Sequence, residues 1–506
     1  MKRKYVILMI AATALLGSSC HKFLDKQPYS QPTDETTWKS EADANASVAA
    51  CYSLIRSAFN AAITYYAYGD LPSDEFSSIL GGFNIQSYSD IQTMTWNTSV
   101  PYTNVSDPRL QLRQYNNFYS AIAQSNRCLH FINTMPVSVF TGQDAASQQA
   151  SKNRYLAEAY FTRAFNYFYM ARVWGDVPLV TAYSQDVSSS EQLPRAPQQT
   201  VLAQCVADLN TAKAWMGWQD QPNSADVVVR ADKGAVFALL AHIYAWEGKY
   251  DSCNMACDSV ILSGAYQLED RHNYLSVFNT RGPENIFSIA QNVQSESINA
   301  FNSISGVTLA APLLQAYSFP GWQISTSTLY GLFDDTADDL RYKNAFTLLS
   351  NGGIPTPECL KYSRIQNVNN NTSYPIAEND IVVFRLADIE LLKAEALAAK
   401  SNPDLPGALT FVNSIRSQAG LPTALTAGTQ DSVLSYVTDE RGRELFLEGH
   451  RFYDLVRLAR LTGQQENPNM SPTEFAAGKY YWPVDPSLFL TNSKLTQTPF
   501  WTGKLQ

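Results

Sequence analysis

The amino-acid sequence predicts a mainly α-helical protein: a tetratricopeptide-like scaffold of helix pairs forming an α-α superhelix, with long irregular loop regions and a few short strands. Three observations carry that prediction. Apolar residues recur at spacings of three and four through nine segments. Small residues, among them Ala235, Ala238, Ala241 and Ala256, fall where consecutive segments would face each other, which lets two helices approach closely. The stretches 60–107 and 264–380 lack a helical period and are rich in Gly, Ser, Asn, Pro and aromatic residues. A composition of 45% hydrophobic and 16% charged residues over 506 positions is that of a globular chain with ample length for a large core.

The N-terminus reads as an export signal. Lys2, Arg3 and Lys4 precede an apolar run from Tyr5 to Leu16, followed by Gly17-Ser18-Ser19-Cys20, which are the charged, apolar and small-residue regions of a secretory signal. The run is too short to remain as a spanning helix. A cysteine directly after the small residues is the arrangement of a bacterial lipoprotein. It predicts a signal peptide over 1–19 and a mature chain beginning at a diacylated, palmitate-type Cys20 anchored in outer-membrane lipid. Gly17 stands where a leucine is usual, with Leu16 one step further back. Residues 20–40 are polar and carry proline, as a lipidated tether requires. Removing 1–19 takes away three basic residues and no acidic one, moving the formal charge from −9 to −12. That acidity argues against nucleic acid as a partner.

Helices are predicted over 41–58, 112–134, 151–173, 199–216, 232–247, 250–263, 384–399, 406–419 and 432–461. The clearest pair spans 232–263, where small and aromatic positions are followed by a Gly248-Lys249-Tyr250 turn; 385–419 repeats the plan with Ala394, Ala396 and Ala408. A single domain over 41–506 is expected, with helical scaffold at about 41–59, 112–263 and 384–461 and a loop-rich lobe at about 60–111 and 264–380. Long loops inside a compact chain are commonly functional. Of the cysteines besides Cys20, five of Cys51, Cys128, Cys205, Cys253, Cys257 and Cys359 lie in helical stretches without CxxC or histidine partners. They read as buried thiols, not as a zinc or redox site, with disulfides left open in an exported protein.

Segment 440–460, ERGRELFLEGHRFYDLVRLAR, packs five arginines, four carboxylates and His450 among large apolar residues. At about 100° per residue, Leu445, Gly449, Phe452, Val456 and Ala459 share one helical face. Pairs three apart, Arg441 with Glu444, Glu448 with Arg451 and Asp454 with Arg457, predict a half-buried ion network along one continuous helix. Glu448 and His450 are two apart and so point to different sides, which argues against a helical metal site, and carboxylates paired with arginines are poor general acids.

The pattern E-R-x-x-E-x-x-x-E-G-H-R-x-x-D-L-x-R in this segment resembles the signature of the SusD/RagB family. Further landmarks resemble that family in order: Phe23-Leu24-Asp25, Tyr119 to Asn126, Glu158-Ala159 with Arg163-Ala164, and Gly175-Asp176-Val177-Pro178-Leu179. Arg385-Leu386-Ala387-Asp388, Asn413 with Arg416, and Ala419-Gly420-Leu421-Pro422 complete the set. Gln497-Thr498-Pro499-Phe500 departs from the family's commoner Q-N-P-G. The resemblance implies a SusD-like fold on the cell-surface side of the outer membrane. It also implies that the chain captures glycan, without cofactor or cleavage, and hands it to a SusC-like TonB-dependent transporter during polysaccharide utilisation.

Binding in such a family runs through loop aromatics with a few amides, so the candidate ligand residues are Tyr88, Trp96, Asn97 and Tyr102 in the first loop region and Tyr317, Trp322 and Tyr330 in the second. No catalytic residue and no metal ligand is assigned. The run from Asp334 to Asp339 lacks the glycine and spacing of an EF-hand and reads as a capping and salt-bridge element ahead of Arg341. Two alternatives stay open: a surface glycoside hydrolase, for which the chain offers no alternating β pattern to carry paired carboxylates, and a peptide-binding or protein-interaction tetratricopeptide module.

Overall fold

Helices dominate the computed structural model, which describes residues 37–81, 84–96, 104–184, 192–294, 296–314, 318–333, 338–351, 354–421, 424–426 and 428–505. The long ones are α1 (Glu41–Asn60), α2 (Asn116–Thr134), α3 (Ala145–Trp174), α4 (Gln198–Trp215), α5 (Lys233–Trp246), α6 (Tyr250–Ile261), α7 (Leu386–Ala399), α8 (Leu405–Gln418), α9 (Gln430–Glu444) and α10 (Arg451–Thr462). Neighbours in sequence pack on one another: α1 on α2, α2 on α3, α3 on α4, α5 on α6, α7 on α8 and α9, while α6 against α7 joins the two halves of the array. Local chemistry sets the ends. Ser40 with Asp43, and Asp144 with Ser147, form capping boxes at the starts of α1 and α3, and Asp232 caps α5. Gly175 and Gly463 follow α3 and α10 with φ of 73° and 74°.

The small residues behave as expected. Ala235, Ala238 and Ala241 are fully buried on α5, as are Ala394, Ala396 and Ala408 on α7 and α8, so the paired helices approach over methyl groups. All six cysteines among the described residues are buried free thiols, with the Cys51 and Cys128 sulfurs 3.8 Å apart between α1 and α2. Among the described residues no helix is long and apolar enough to cross a membrane.

Three predicted helices end differently. Leu112 belongs to a short separate helix, Pro108–Arg113, because Gln114 is extended before α2 begins. Phe384 and Arg385 lie in a strand. The segment read as one helix over 432–461 is two, α9 and α10, separated by a turn in which Leu447 has φ 59° and Gly449 φ 78°. Left-handed backbone cannot continue an α-helix, and the pattern of apolar positions does not reveal it.

The irregular lobe is laced by short antiparallel pairings. Strand β1 (Phe76–Ile79) pairs with β4 (Trp322–Ile324), and β2 (Asn285–Ile289) with β9 (Ile381–Arg385). Strand β3 (Ile298–Asn299) joins β8 (Ile376–Ala377), which also pairs β7 (Ile365–Gln366); β5 (Phe346–Asn351) and β6 (Ile354–Cys359) form a hairpin. The β1–β4 pairing ties the first loop region to the second, and one apolar core runs from α1 through these strands to Trp482 and Trp501.

Candidate functional site

The charged motif assembles with partners far away in sequence. Glu444 receives Arg385 at 2.7 Å, Arg271 at 2.8 Å and Arg341 at 3.0 Å. Arg385 and Arg271 also share Glu284, at 2.6 and 2.8 Å, and Arg341 reaches Glu440 at 2.7 Å and Asp339 at 2.7 Å. Glu448 accepts from Arg385 at 2.7 Å and Lys361 at 2.6 Å. Arg441 bridges Asp388 and Asp454, and Arg457 bridges Asp454 and Glu395. Of the pairs expected from spacing, Asp454 with Arg457 forms, at 2.6 Å. Arg441 and Glu444 turn to other partners, and Arg451 pairs with Asp74 at 2.7 Å. The network is buried throughout, not half-buried. As expected for the acidic run, Asp339 caps the short helix Leu340–Ala345 and holds Arg341; residues 334–337 lie outside the described residues.

This network is not a catalytic centre. Burial raises the Glu444 carboxyl, but Arg271, Arg385 and Arg341 overcome it and hold the group well below the usual carboxylate range. Asp454 is likewise brought down to about 2 by Arg441 and Arg457 against the opposing effect of burial. His450 stacks on His242, ring centroids 5.5 Å apart, and burial pushes its imidazole down to about 3, so it is neutral. His242, Asp388 and His450 bring ligand-type atoms within 4.8 Å of one another. However, His242 Nε2 already pairs with Asp388 Oδ2 at 2.8 Å and Arg441 occupies Oδ1 at 2.9 Å, so the carboxylate is spent. The glycine of the motif is there for space as well as φ: a Cβ on Gly449 would lie 2.4 Å from the Tyr65 ring, and one on Gly69 2.1 Å from the Gly449 carbonyl oxygen. Asp70 accepts from the Gly449 N–H at 2.8 Å and Glu75 from the Leu447 N–H at 3.2 Å, fixing the turn.

The lobe holds a cavity of about 630 Å³ between the end of α1, the short helices Ile85–Gln92 and Pro108–Arg113, and the segment leading into the helix Ile304–Thr308. Asn60, Asn84, Gln111 and Asn302 bring carboxamides to it, Tyr88 a phenol, and Ile63, Pro108 and Val307 apolar surface. Ala62, Ile63 and Asn84 along its wall have φ of 52°, 56° and 57°. For alanine and a β-branched residue that is strained backbone, which concentrates at binding sites. Asn84 and Asn302 are exposed.

Of the candidate ligand residues, Tyr88 lines this cavity. Trp322 lies directly behind it: the two rings are 5.1 Å apart at 63°, and Trp322 also meets Phe76 edge-on at 5.5 Å. Trp322 is 0% exposed and presents no face to a ligand; it positions Tyr88. Trp96, at 1% exposure, packs on Trp482 at 4.9 Å and is a core residue here. Both tryptophans are buried because each finds an aromatic partner distant in sequence. Tyr330 is 43% exposed on a helix away from the cavity. Asn97, Tyr102, Tyr317 and Cys20 lie outside the described residues. Asn60, Asn84, Gln111 and Asn302 were not singled out by the sequence, where lone amides in loops carry no pattern.

Comparison with known proteins matches this architecture. A family model described as the SusD family matches residues 338–501, and one described as "Starch-binding associating with outer membrane" matches residues 22–245. The SusD-like protein P38 of Formosa agariphila is 27% identical over 487 residues, covering 87% of this chain and 88% of its own. The starch-binding protein SusD of Bacteroides thetaiotaomicron is 23% identical over 433 residues, covering 71% and 75%. A crystal structure of a SusD homolog from B. thetaiotaomicron superposes with a TM-score of 0.77 at 26% identity, covering 92% of this chain and 99% of that one. B. fragilis NanU shares the fold at 22% identity and a TM-score of 0.71, covering 94% and 99%. With both ends of the chain matched by SusD-type family models and a SusD homolog superposing over 92% of it, the chain belongs to the SusD/RagB family.

Proposed function

We propose that this protein is a non-catalytic glycan-binding lipoprotein of the outer membrane. Anchored through Cys20 and facing outward, it captures oligosaccharide in the cavity around Tyr88 and passes it to a SusC-like TonB-dependent transporter. The observation that carries the reading is the cavity itself: amide groups able to donate and accept, a phenol braced by Trp322, and apolar wall positions, with left-handed backbone at Ala62, Ile63 and Asn84. Tyr88 and Asn84 are the residues proposed to meet the ligand, with Asn97, Tyr102 and Tyr317 on neighbouring loop sequence. The described residues of the cavity wall include no carboxylate pair, which supports binding over hydrolysis.

The test is a native gel containing polysaccharide. Retarded migration that is lost in Tyr88→Ala, with no reducing ends released by the pure protein, is the expected result. Reproducible cleavage overturns non-catalytic binding. Purification from native membranes in mild detergent is expected to bring a large β-barrel with it; recovery of the chain alone under every condition overturns the transporter step.

A further inference from the structure

We infer that the cavity around Tyr88 selects by charge: it takes a neutral oligosaccharide and excludes glycans bearing uronate, sialate or sulfate. This rests on the glycan-binding reading and narrows it. None of the described residues lining the cavity is charged. The sequence around it extends the pattern. From Ser297 to Phe333 there is no Asp, Glu, Lys, Arg or His, in a chain that is 16% charged. From Phe76 to Ser106 the sole charged residue is Asp90, and it is engaged by Arg109 at 2.7 Å.

An anionic sugar leaves water only when charge-assisted hydrogen bonds replace its hydration, which Arg or Lys must supply. No such side chain lines this cavity. An ionic cluster on the two short helices that wall the cavity acts in the opposite sense: Arg109 is shared by Asp90 and Asp107, at 2.7 and 2.8 Å, two carboxylates for one guanidinium, and Ser87 beside Tyr88 donates to Asp107. An incoming anion meets a slight excess of negative charge. The carboxamides of Asn84 and Asn302 instead carry both donors and acceptors, as a sugar hydroxyl does, while Asn60 Oδ1 accepts from Gln291 and Gln111 Nε2 donates to the Val105 carbonyl, both at 2.8 Å.

Other recesses of the molecule do carry charge. The recess between α1 and β2 is walled by Arg56, Arg230, Asp226 and Glu296, and the cleft beside β9 by Arg281, Arg364, Glu378 and Asp380. Ion-bearing walls are therefore built elsewhere in the molecule, and the described residues around Tyr88 are not among them.

The experiment is affinity electrophoresis and titration of the full mature chain against two sets of polysaccharides. One set is neutral (glycogen, galactomannan, mixed-linkage β-glucan, arabinan) and the other acidic (polygalacturonate, alginate, chondroitin sulfate). Retardation by at least one neutral member and by no acidic one is expected, with affinity unchanged within about twofold as salt rises from about 50 to about 500 mM. Asn302→Lys, which supplies the missing cation at an exposed position, is expected to weaken the neutral ligand and to introduce salt-sensitive retention of an acidic one. Salt-sensitive binding of an acidic glycan by the unaltered protein overturns the charge selection while leaving glycan binding intact. Retardation by no glycan of either set overturns both.

Discussion

Between Glu440 and Arg457 the chain buries a dense set of charges, whereas the described residues around the Tyr88 cavity carry none. Both regions are polar, and the difference lies in what the polarity is for. Guanidiniums and carboxylates taken out of water must be paired with good geometry, so a network such as Glu444 with Arg271, Arg341 and Arg385 locks distant segments into one arrangement. Amides and phenols tolerate being wet or dry and can exchange partners, which suits a surface that must release water and accept hydroxyls. The motif that marks the family is thus architectural, and the proposed ligand region is built from separate residues outside it.

The largest effect is expected on removing the shared carboxylate. Glu444→Gln takes a shared charge from three buried guanidiniums, each of which keeps another acidic partner, and is expected to cost roughly 3–5 kcal/mol, read as a large fall in melting temperature or loss of soluble protein. An unchanged melt would break the contrast at its charged end. Gly449→Ala places a methyl 2.4 Å from the Tyr65 ring on backbone at φ 78°, with an expected cost of about 2–3 kcal/mol in the same assay.

Tyr88→Phe, which keeps the buried ring against Trp322 and removes the hydroxyl, is expected to lower glycan affinity about tenfold, roughly 1.4 kcal/mol, with little change in melting. Trp322→Ala should weaken binding and stability together, because it acts through Tyr88 and the core. Equal behaviour of the two variants would erase the distinction between a ligand contact and its support.

A smaller effect concerns acid. Folded His450 refuses a proton until about pH 3, while the unfolded chain accepts one near 6.5. Its contribution is therefore full above about pH 6.5 and is lost progressively as pH falls toward 3. His450→Gln is expected to flatten the dependence of melting temperature on pH across that window; an unchanged slope would mean that the histidine is already protonated in the fold.

The helical scaffold was legible because burial on one face of a helix leaves a local period, and α1 to α8 follow it closely. The break between α9 and α10 was not, because Leu447 takes its left-handed backbone from Asp70 and Glu75, whose acceptance of the Gly449 and Leu447 N–H groups is a tertiary fact. Ion partners were misassigned for the same reason. Arg441 and Glu444 lie three apart, yet Glu444 prefers Arg385 and Arg271, which reach it through β9 and the turn at Arg271–Asn273. At the cavity, the aromatic candidates include Tyr88 on its wall, but Trp96 and Trp322 were drawn inward by Trp482 and Phe76. What the sequence did carry there was a long absence of charge from Ser297 to Phe333, visible once the cavity says where to look.

The most direct test is a crystal structure of the mature chain with an oligosaccharide from whichever glycan it retains. The account predicts sugar density against Tyr88, Asn84 and Asn302, with the Glu444 network dry and unchanged. Density in the recess walled by Arg56 and Arg230, or against the charged motif itself, would contradict it.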